Sequence, residues 1–511
     1  MSDHSTDVLV IGSGIGGLCC AGLTARAGHE VVVLEAHQYP GGAAHGFERA
    51  GYHFESGPSL WSGLNRWPST NPLAQILRAL EQPLEVIPYR DWDVLFPEGD
   101  LRIGVGSAGF EAVVQDLRGG AVLEEWRRFC DRLRPVAAAA DALPLLALPP
   151  GVDAMGALLK RSRRLLPHLR ALRHLNGAFG PLVDRHLQDP FLRHWVDLLC
   201  FLISGMPMHH TNAAAMASLF AQWFEPDSCL DYPKGGSAAV VQALVRGVER
   251  HGGSVRCGMR VRRLCLDGDR VCGVELSNGE RWRAQHVVSN VDAWGTAALL
   301  PEGAARRWRE QLEMTPACGS FLHLHLGFDA SGLDPLPLHQ VWVGDWQRPI
   351  DAEQNTAVVS IPSVLDPSMA PEGHHVLHAY TPASEPWSAW GELQRGTSAY
   401  QQHKQNRCQL FWSVLERTIP DLRERCQVVM EGTPLTHRHF LNVHQGSYGP
   451  ALSAANGLFP GVTTPLPGLL RCGASTFPGI GIPPVAASGA MAAHAITAPR
   501  AQQQLLDSLG L

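Results

Sequence analysis

The first forty residues constrain the fold more than any other part of the chain. Asp7-Val8-Leu9-Val10-Ile11 is a short, apolar, β-branched run, the pattern of a buried parallel strand. It leads into Gly12-Ser13-Gly14-Ile15-Gly16-Gly17, a GxGxxG spacing, and Leu18 to Ala27 continues as a small-residue helix. Gly28-His29 turns into a second strand, Glu30 to Leu34, which ends at Glu35. Gly12 permits the tight turn, Gly14 lets backbone approach a pyrophosphate, and Gly17 lets helix and strand pack closely. The helix start offers unpaired N–H groups and partial positive charge to phosphates. Glu35 stands 18 positions past Gly17, close to the spacing of an acid that binds ribose hydroxyls. Strand, glycine loop, helix, strand and acid in this order predict an α/β fold with a Rossmann-like dinucleotide-binding domain. The motif by itself admits FAD and NAD alike.

The next segment separates the two. Pro40-Gly41-Gly42-Ala43-Ala44-His45-Gly46-Phe47-Glu48 follows the acid, and Gly51-Tyr52-His53-Phe54-Glu55-Ser56-Gly57 follows that. A double glycine just past the ribose acid suits a backbone that runs beside a second stretch of cofactor, and FAD is long enough to supply one. This block resembles the amine-oxidase-like flavoproteins and, among them, the carotenoid isomerase and phytoene desaturase branch. Desaturases usually carry arginine after the double glycine; Ala43 here is more similar to the isomerase side. The resemblance implies FAD as cofactor, held by Gly12, Gly14, Ile15, Gly16, Gly17, Glu35, Ala36, Gly41, Gly42 and Ala43.

The C-terminal region is similar to the same family. Leu469-Leu470-Arg471-Cys472-Gly473-Ala474-Ser475-Thr476-Phe477-Pro478-Gly479-Ile480-Gly481-Ile482-Pro483-Pro484 precedes a small-residue helical stretch, Val485 to Ile496. A strand ends at Gly473, and a glycine-proline loop delivers the chain to a helix start. Pro483 and Pro484 fit a first turn, where a missing N–H is harmless. The resemblance implies that this helix start faces the pyrimidine side of the flavin, where its positive end favours reduced, anionic flavin. Gly473, Ala474, Gly481, Ile482 and Pro483 join the expected FAD contacts. Ala474 occupies the position where the family commonly has aspartate.

Between these ends, Asp231-Tyr232-Pro233-Lys234-Gly235-Gly236-Ser237 precedes a helix-like stretch, Ala238 to Gly252. Short alternating runs from Ser254 to Ser289, with turns at Asp267-Gly268-Asp269 and Asn278-Gly279, predict a β-meander. In the family this stretch returns to the FAD domain, which implies a backbone contact from near Val261 to the adenine. Gly446-Ser447-Tyr448-Gly449-Pro450 and Ala370-Pro371-Glu372-Gly373-His374-His375 also resemble the isomerase pattern. A chain of 511 residues corresponds by length to about three domain-sized units. The resemblance reduces these to two. A discontinuous FAD domain takes residues 1–75, 231–300 and 436–498. An interrupting α+β substrate domain takes 76–230, mostly helical, and 301–435. Residues 499–511 remain as a tail.

Composition limits the partners. The formal net charge is −6 with no long basic tract, which excludes a nucleic-acid binder held by phosphate contacts. Only Lys160, Lys234 and Lys404 are lysines, so Schiff-base chemistry has few candidates. The twelve cysteines include no CxxC pair, which fits a reducing, cytoplasmic compartment and neither zinc nor disulfide framework. Met1 to Asp7 lacks the apolar core of a signal peptide, and no run of about 18 apolar residues exists to span a membrane. Pro135 to Pro150 reads as an apolar hairpin, and Lys160 to Arg173 as a basic amphipathic stretch. Two readings stand side by side: peripheral docking on an anionic membrane surface, or a helix packed on the substrate domain with a solvated arginine face.

Side-chain chemistry is harder to read. His323 and His325 share one strand face, and His209-His210, His374-His375 and His437-x-His439 are further pairs. Two same-face histidines are half of a ligand set, so no metal is expected, and these rings are read as lining a polar edge. In flavin enzymes the cofactor carries the difficult step. Tyr448, His444 and Glu372 are the candidate polar groups near it. The resemblance implies an FAD-dependent oxidoreductase acting on a long, apolar polyene. The leading version is a redox-neutral carotenoid cis–trans isomerase using reduced flavin. Alternatives are a desaturase passing electrons to a quinone or oxygen, a retinoid saturase, and a non-catalytic lipid-binding protein on the scaffold of the Rab GDP dissociation inhibitors.

Overall fold

The computed structural model describes residues 3–148, 166–168, 171 and 175–511. It begins with β1 (Asp3–Ile11), α1 (Ile15–Arg26) and β2 (Val31–Leu34), the βαβ unit expected from the glycine motif. The strands pair in parallel, from Val8 opposite Val31 to Ile11 opposite Leu34. Val8, Val10, Val31 and Val33 enter one core, and Leu9, Ile11, Val32 and Leu34 enter another on the opposite face. A strand buried on both faces has no polar side to show, so its sequence is continuously apolar.

The chain continues through the hairpin β3 (Gly46–Arg49) and β4 (Tyr52–Glu55), then α2 (Pro72–Ala79). Strands β5 (Val86–Tyr89), β6 (Asp91–Phe96) and β7 (Gly99–Gly104) follow, with helices α3 (Ser107–Arg118), α4 (Gly120–Asp141), α5 (Gly180–His186), α6 (Pro190–Ser204) and α7 (Ala213–Trp223). Next come β8 (Leu230–Pro233), α8 (Gly236–Arg250), β9 (Ser254–Arg256), β10 (Val261–Asp267), β11 (Arg270–Leu276) and β12 (Arg281–Ser289). Helices α9 (Ala293–Ala298) and α10 (Arg306–Glu313) lead to β13 (His323–Asp329), β14 (His339–Val343), β15 (Thr356–Ser360) and β16 (His374–Tyr380). The last part holds α11 (Ser398–Leu415), α12 (Leu422–Arg425), β17 (Cys426–Gly432), α13 (Pro434–Phe440), β18 (Leu469–Arg471), α14 (Ile482–His494) and α15 (Pro499–Leu509).

Two large sheets organise these elements. The first has the order β10-β11-β12-β1-β2-β9, with β18 beside β12. Strands β12 and β18 run parallel to β1, so distant parts of the chain meet at the carboxyl ends of these strands. The second sheet has the order β17-β13-β16-β15-β14-β6-β7. One face of β13 presents Leu324, Leu326 and Phe328 to Phe411, Trp412 and Leu415 of α11. Its other face presents His323, His325 and Gly327; a Cβ at Gly327 would lie 2.7 Å from the Tyr52 ring of β4. The helices α3 to α7 close over β6 and β14 through an aromatic core that includes Trp92, Phe110, Trp126 and Trp195.

Several sequence expectations change. Helix α1 starts at Ile15, three residues early, because its glycines pack against loop backbone instead of ending the helix. Pro135 to Asp141 form the last turns of α4 and are no apolar hairpin; a short 3-10 turn, Leu145–Ala147, follows and buries Leu146. Residues 76–230, expected to be mostly helical, carry α3 to α7 together with β6 and β7, which extend the second sheet. Helix α2 runs across the expected break at 75 and packs on the first core. The expected tail at 499–511 is α15, whose Leu505, Leu506 and Leu509 enter that core. The basic stretch Lys160 to Arg173 lies outside the described residues, apart from Leu166, Pro167, His168 and Ala171. Among the described residues no helix is long and apolar enough to cross a membrane.

Candidate functional site

The glycine loop joins β1 to α1, and close packing dictates its composition. Gly12 adopts φ +91°, and a Cβ at Gly17 would lie 2.3 Å from the Gly12 carbonyl oxygen. Gly14 caps α1 with no side-chain hydrogen bond, which leaves the first N–H groups of the helix free for an anion. Gly41 and Gly42 come back onto this loop. The Gly41 N–H donates to the Ser13 carbonyl at 3.0 Å, and a Cβ at Gly42 would lie 3.2 Å from Gly14 Cα. Two glycine segments therefore make one backbone-lined cradle. Glu35 closes its far end. Its Oε2 accepts from the Ser13 N–H at 2.8 Å and the Ser13 hydroxyl at 2.6 Å, and its Oε1 accepts from the His37 N–H at 2.7 Å. Oε2 has both lone pairs engaged, whereas Oε1 keeps a second one that can accept from a ribose hydroxyl. An uncapped helix start, walls without side chains and a fixed acid fit a dinucleotide such as FAD. Ala36 and Ala43 flank these groups in sequence. Val261 opens β10, two residues past Met259, whose N–H donates to the Glu35 carbonyl at 2.7 Å.

The C-terminal loop reaches the same place. Helix α14 packs on α1 so closely that a Cβ at Gly489 would lie 2.3 Å from the Gly16 carbonyl oxygen. The Gly473 N–H donates to Ser488 Oγ at 2.8 Å, which holds the loop beside the helix. Gly481 caps α14, again with no side-chain cap, and Ile482 and Pro483 form its first turn. Ala474 lies against an apolar patch of Met206, Cys318 and Ile480. An aspartate there would be held among apolar groups. Sequence reasoning missed Asn290. Its side chain lies 2.5 Å from a Cβ placed on Gly14 and 3.0 Å from one placed on Gly473, so it bridges both glycine loops. The signal was present: a polar residue directly follows Val287-Val288-Ser289, at the strand end where open α/β sheets bind ligands.

A row of rings runs between the loop at Gly41–His45 and the loop at Gly473–Pro483. His45 lies beside Phe47, and Phe47 and Phe54 both meet the His325 ring edge-on. His325 stacks on His378 with centroids 4.4 Å apart and 3° between planes. These two residues stand opposite one another on β13 and β16. His323 Nδ1 is 2.7 Å from His378 Nε2, and His323 Nε2 is 2.7 Å from His437 Nε2 on α13. Phe321 stacks on His437 and meets Tyr448 edge-on. Tyr448 packs with Ile480 and Ala474. The histidines thus lie in the interior and not at a polar edge.

Burial sets the charge state of this row. His325 and His437 are pushed down to about 4, and His323 and His378 fall well below the ordinary imidazole value. Desolvation of the charged form is the main cause, and the neighbouring imidazoles add to it. All four are neutral near pH 7. Tyr380 beside them is pushed up to about 12 by burial. Glu55 is buried behind the row, accepts from the Ser237 N–H at 2.7 Å, and is raised to about 7 by desolvation.

Of the candidate polar groups, Tyr448 stands in the ring row. His444 lies near the C-terminal loop: its N–H donates to Asp292 Oδ2 at 2.6 Å, its ring stacks on Trp294, and the adjacent Ala293 N–H donates to Ser475 Oγ. Glu372 is exposed in the turn before β16, away from these rings, where its carbonyl meets His374 Nδ1. Sequence reading placed His323 and His325 on one face but did not bring His378 and His437 to them, because that requires strand pairing and helix placement.

Known proteins are similar to this chain over nearly its whole length. The sequence pattern of the flavin containing amine oxidoreductases matches residues 15–497. Prolycopene isomerase 1, chloroplastic, of an Oncidium hybrid cultivar is 30% identical over 503 residues, covering 96% of this chain and 84% of that protein. Phytoene desaturase (lycopene-forming) of Pantoea ananas is 26% identical over 506 residues, covering 94% and 96%. Among solved structures, wild-type putrescine oxidase bound to putrescine has a similar fold, with a TM-score of 0.62, 17% identity and 100% of both chains covered. With its glycine cradle and a match over nearly its whole length, the chain belongs to the flavin-containing amine oxidoreductase family, as an FAD-dependent enzyme.

Proposed function

We propose that this enzyme isomerises a double bond of a long, apolar, carotenoid-type polyene without net redox change, using reduced FAD. The observation that carries this reading is the neutral ring row. Its walls are uncharged imidazoles, Phe321, Tyr380 and Tyr448, which suit an apolar substrate and offer no carboxylate to an amine cation. The identity to the prolycopene isomerase supports the substrate class.

Bound FAD supplies reversible electron or hydride transfer; the chain supplies everything else. Gly12, Gly14, Ile15, Gly16, Gly17, Gly41, Gly42 and Ala43 bind the pyrophosphate region. Glu35 and Ala36 fix the ribose, and backbone near Val261 meets the adenine. Gly473, Ala474, Gly481, Ile482 and Pro483 place the positive end of α14 where reduced flavin carries negative charge. Asn290 holds the two loops in register. The ring row excludes water and orients the polyene. We assign cofactor binding to residues 1–79, 231–300 and 436–511, with α2 and α15 kept whole in the first core, and substrate binding to 80–230 and 301–435. The polyene reaches its site from a membrane surface by peripheral docking.

The test is incubation of the FAD-loaded protein with cis-carotenes under reducing and oxidising conditions, with chromatography of the products. Isomerised product of unchanged hydrogen content, formed under reducing conditions, is expected. Net desaturation would overturn the isomerase reading in favour of the second one. That second reading, desaturation with electrons passed to a quinone or oxygen, is favoured by the identity to the Pantoea desaturase.

A further inference from the structure

The buried histidines form a hydrogen-bonded array beyond what lining a wall requires. His323, His325 and His378 bring possible ligand atoms within 4.8 Å of one another, a spacing that invites a metal ion. The ring geometry argues against one. An imidazole lone pair lies in its ring plane, yet His325 and His378 are stacked 4.4 Å apart and 3° from parallel. A single ion cannot lie in the planes of two stacked rings. His323 is moreover hydrogen-bonded through both nitrogens.

Those two bonds define a chain: His437 Nε2, then His323 Nε2 and Nδ1, then His378 Nε2. A neutral imidazole donates at one nitrogen and accepts at the other, so both bonds must point the same way. Reversing the direction requires one proton to enter at one end and another to leave at the opposite end. The ends differ. His437 is half-buried, whereas His323 and His378 are each 3% exposed. His378 Nδ1 is a buried atom without a hydrogen-bond partner. An orphaned nitrogen at the inner end of a hydrogen-bonded chain is expensive to keep unless something meets it during the reaction.

We propose that His437, His323 and His378 form a proton relay that ends at His378 Nδ1 and serves the polyene reaction. The proposal rests on the isomerase reading above. Hydride addition from reduced FAD to one carbon of a double bond leaves its neighbour needing a proton. The relay delivers that proton, the resulting single bond rotates, and withdrawal of hydride and proton restores the double bond. Electrons and atoms balance over the cycle, and no electron moves through the relay. The surroundings suit such a device. The array is faced by His45 from the cofactor loop, the Glu55 carbonyl from β4, and Tyr380 from β16, whose hydroxyl is 3.2 Å from Ser59 Oγ. No carboxylate is hydrogen-bonded to these imidazoles among the described residues, so none traps the proton as a stable ion pair. Burial keeps the rings neutral between turnovers.

The test uses the FAD-loaded full chain in two arms. Nitrogen NMR of the histidines at pH 7 should show His323 neutral, with one protonated and one bare nitrogen, and His323→Gln should shift the His437 and His378 signals. The amide keeps one donor and one acceptor but cannot exchange them. In deuterated water, the wild type should incorporate solvent deuterium into recovered polyene, and His323→Gln and His437→Phe should each reduce that at least tenfold while retaining the flavin absorption bands. A doubly protonated His323 at pH 7, or deuterium incorporation unchanged in both variants, overturns the relay. If the wild type converts no polyene at all, the isomerase reading fails, and the NMR arm decides the relay by itself.

Discussion

Ser13 gives the Glu35 carboxylate two hydrogen bonds, one from its backbone N–H at 2.8 Å and one from its hydroxyl at 2.6 Å. The glycine loop and Glu35 are therefore a single hydrogen-bonded unit. Hydrogen bonds to a charged group contribute about 1.5–3 kcal/mol, and each 1.4 kcal/mol is tenfold in affinity. Glu35→Gln is expected to weaken FAD binding by roughly 10- to 100-fold through this lost charge. Titration of the stripped protein with FAD, followed by flavin fluorescence, measures it.

Gly489 sits where α14 crosses α1. A Cβ there would lie 2.3 Å from the Gly16 carbonyl oxygen, which is backbone and cannot swing aside. Overpacking of this kind costs about 1–3 kcal/mol. Gly489→Ala is expected to lower the thermal midpoint and to separate the two helix starts, so FAD retention on purification should fall as well. Differential scanning calorimetry and the flavin absorbance ratio check both.

Glu55 gives a pH dependence of stability. Its folded value of about 7 lies above the ordinary carboxylate value of 4.5 because burial disfavours the anion. The native state therefore holds a proton that the unfolded chain releases. The stabilisation is complete below pH 4.5 and is lost as pH rises through 7, a difference on the order of 3 kcal/mol. Glu55→Gln should flatten the denaturant midpoint between pH 5 and 8 and raise it at the upper end.

The ring row acts in the opposite direction. His323, His325, His378 and His437 are all held below the ordinary value of 6.5, so the unfolded chain binds more protons in acid. Their stabilisation is present above pH 6.5 and is lost as pH falls towards 4. His378→Phe removes one such group and should make acid unfolding less steep over that range. At pH 7 the same change should cost about 1–3 kcal/mol, because His323 Nδ1 loses its partner. Urea midpoints measured across the pH range separate the two effects.

The cofactor half of the site was legible because its chemistry is local. Gly12 to Gly17, Glu35 and Gly41-Gly42 lie within about thirty residues, and each residue type follows from a turn, a close approach or a carboxylate bonded to the glycine loop. Element ends were less legible: α1 takes in Ile15 to Gly17, and the expected tail is helix α15. In both cases tertiary packing decided, through Asn290 against the loop glycines and Leu505, Leu506 and Leu509 against the first core.

By itself, then, the sequence determined the dinucleotide-binding unit and the alternation that puts His323 and His325 on one face of a strand. Only the tertiary structure decided what that face meets. Pairing of β13 with β16 sets His378 opposite His325, and α13 brings His437 to His323 over 114 residues of chain. The physical reason is range. Periodicity and backbone sterics act between neighbours, whereas imidazoles share a proton only at about 2.7 Å. That separation is set by strand register and helix packing, which no local pattern encodes.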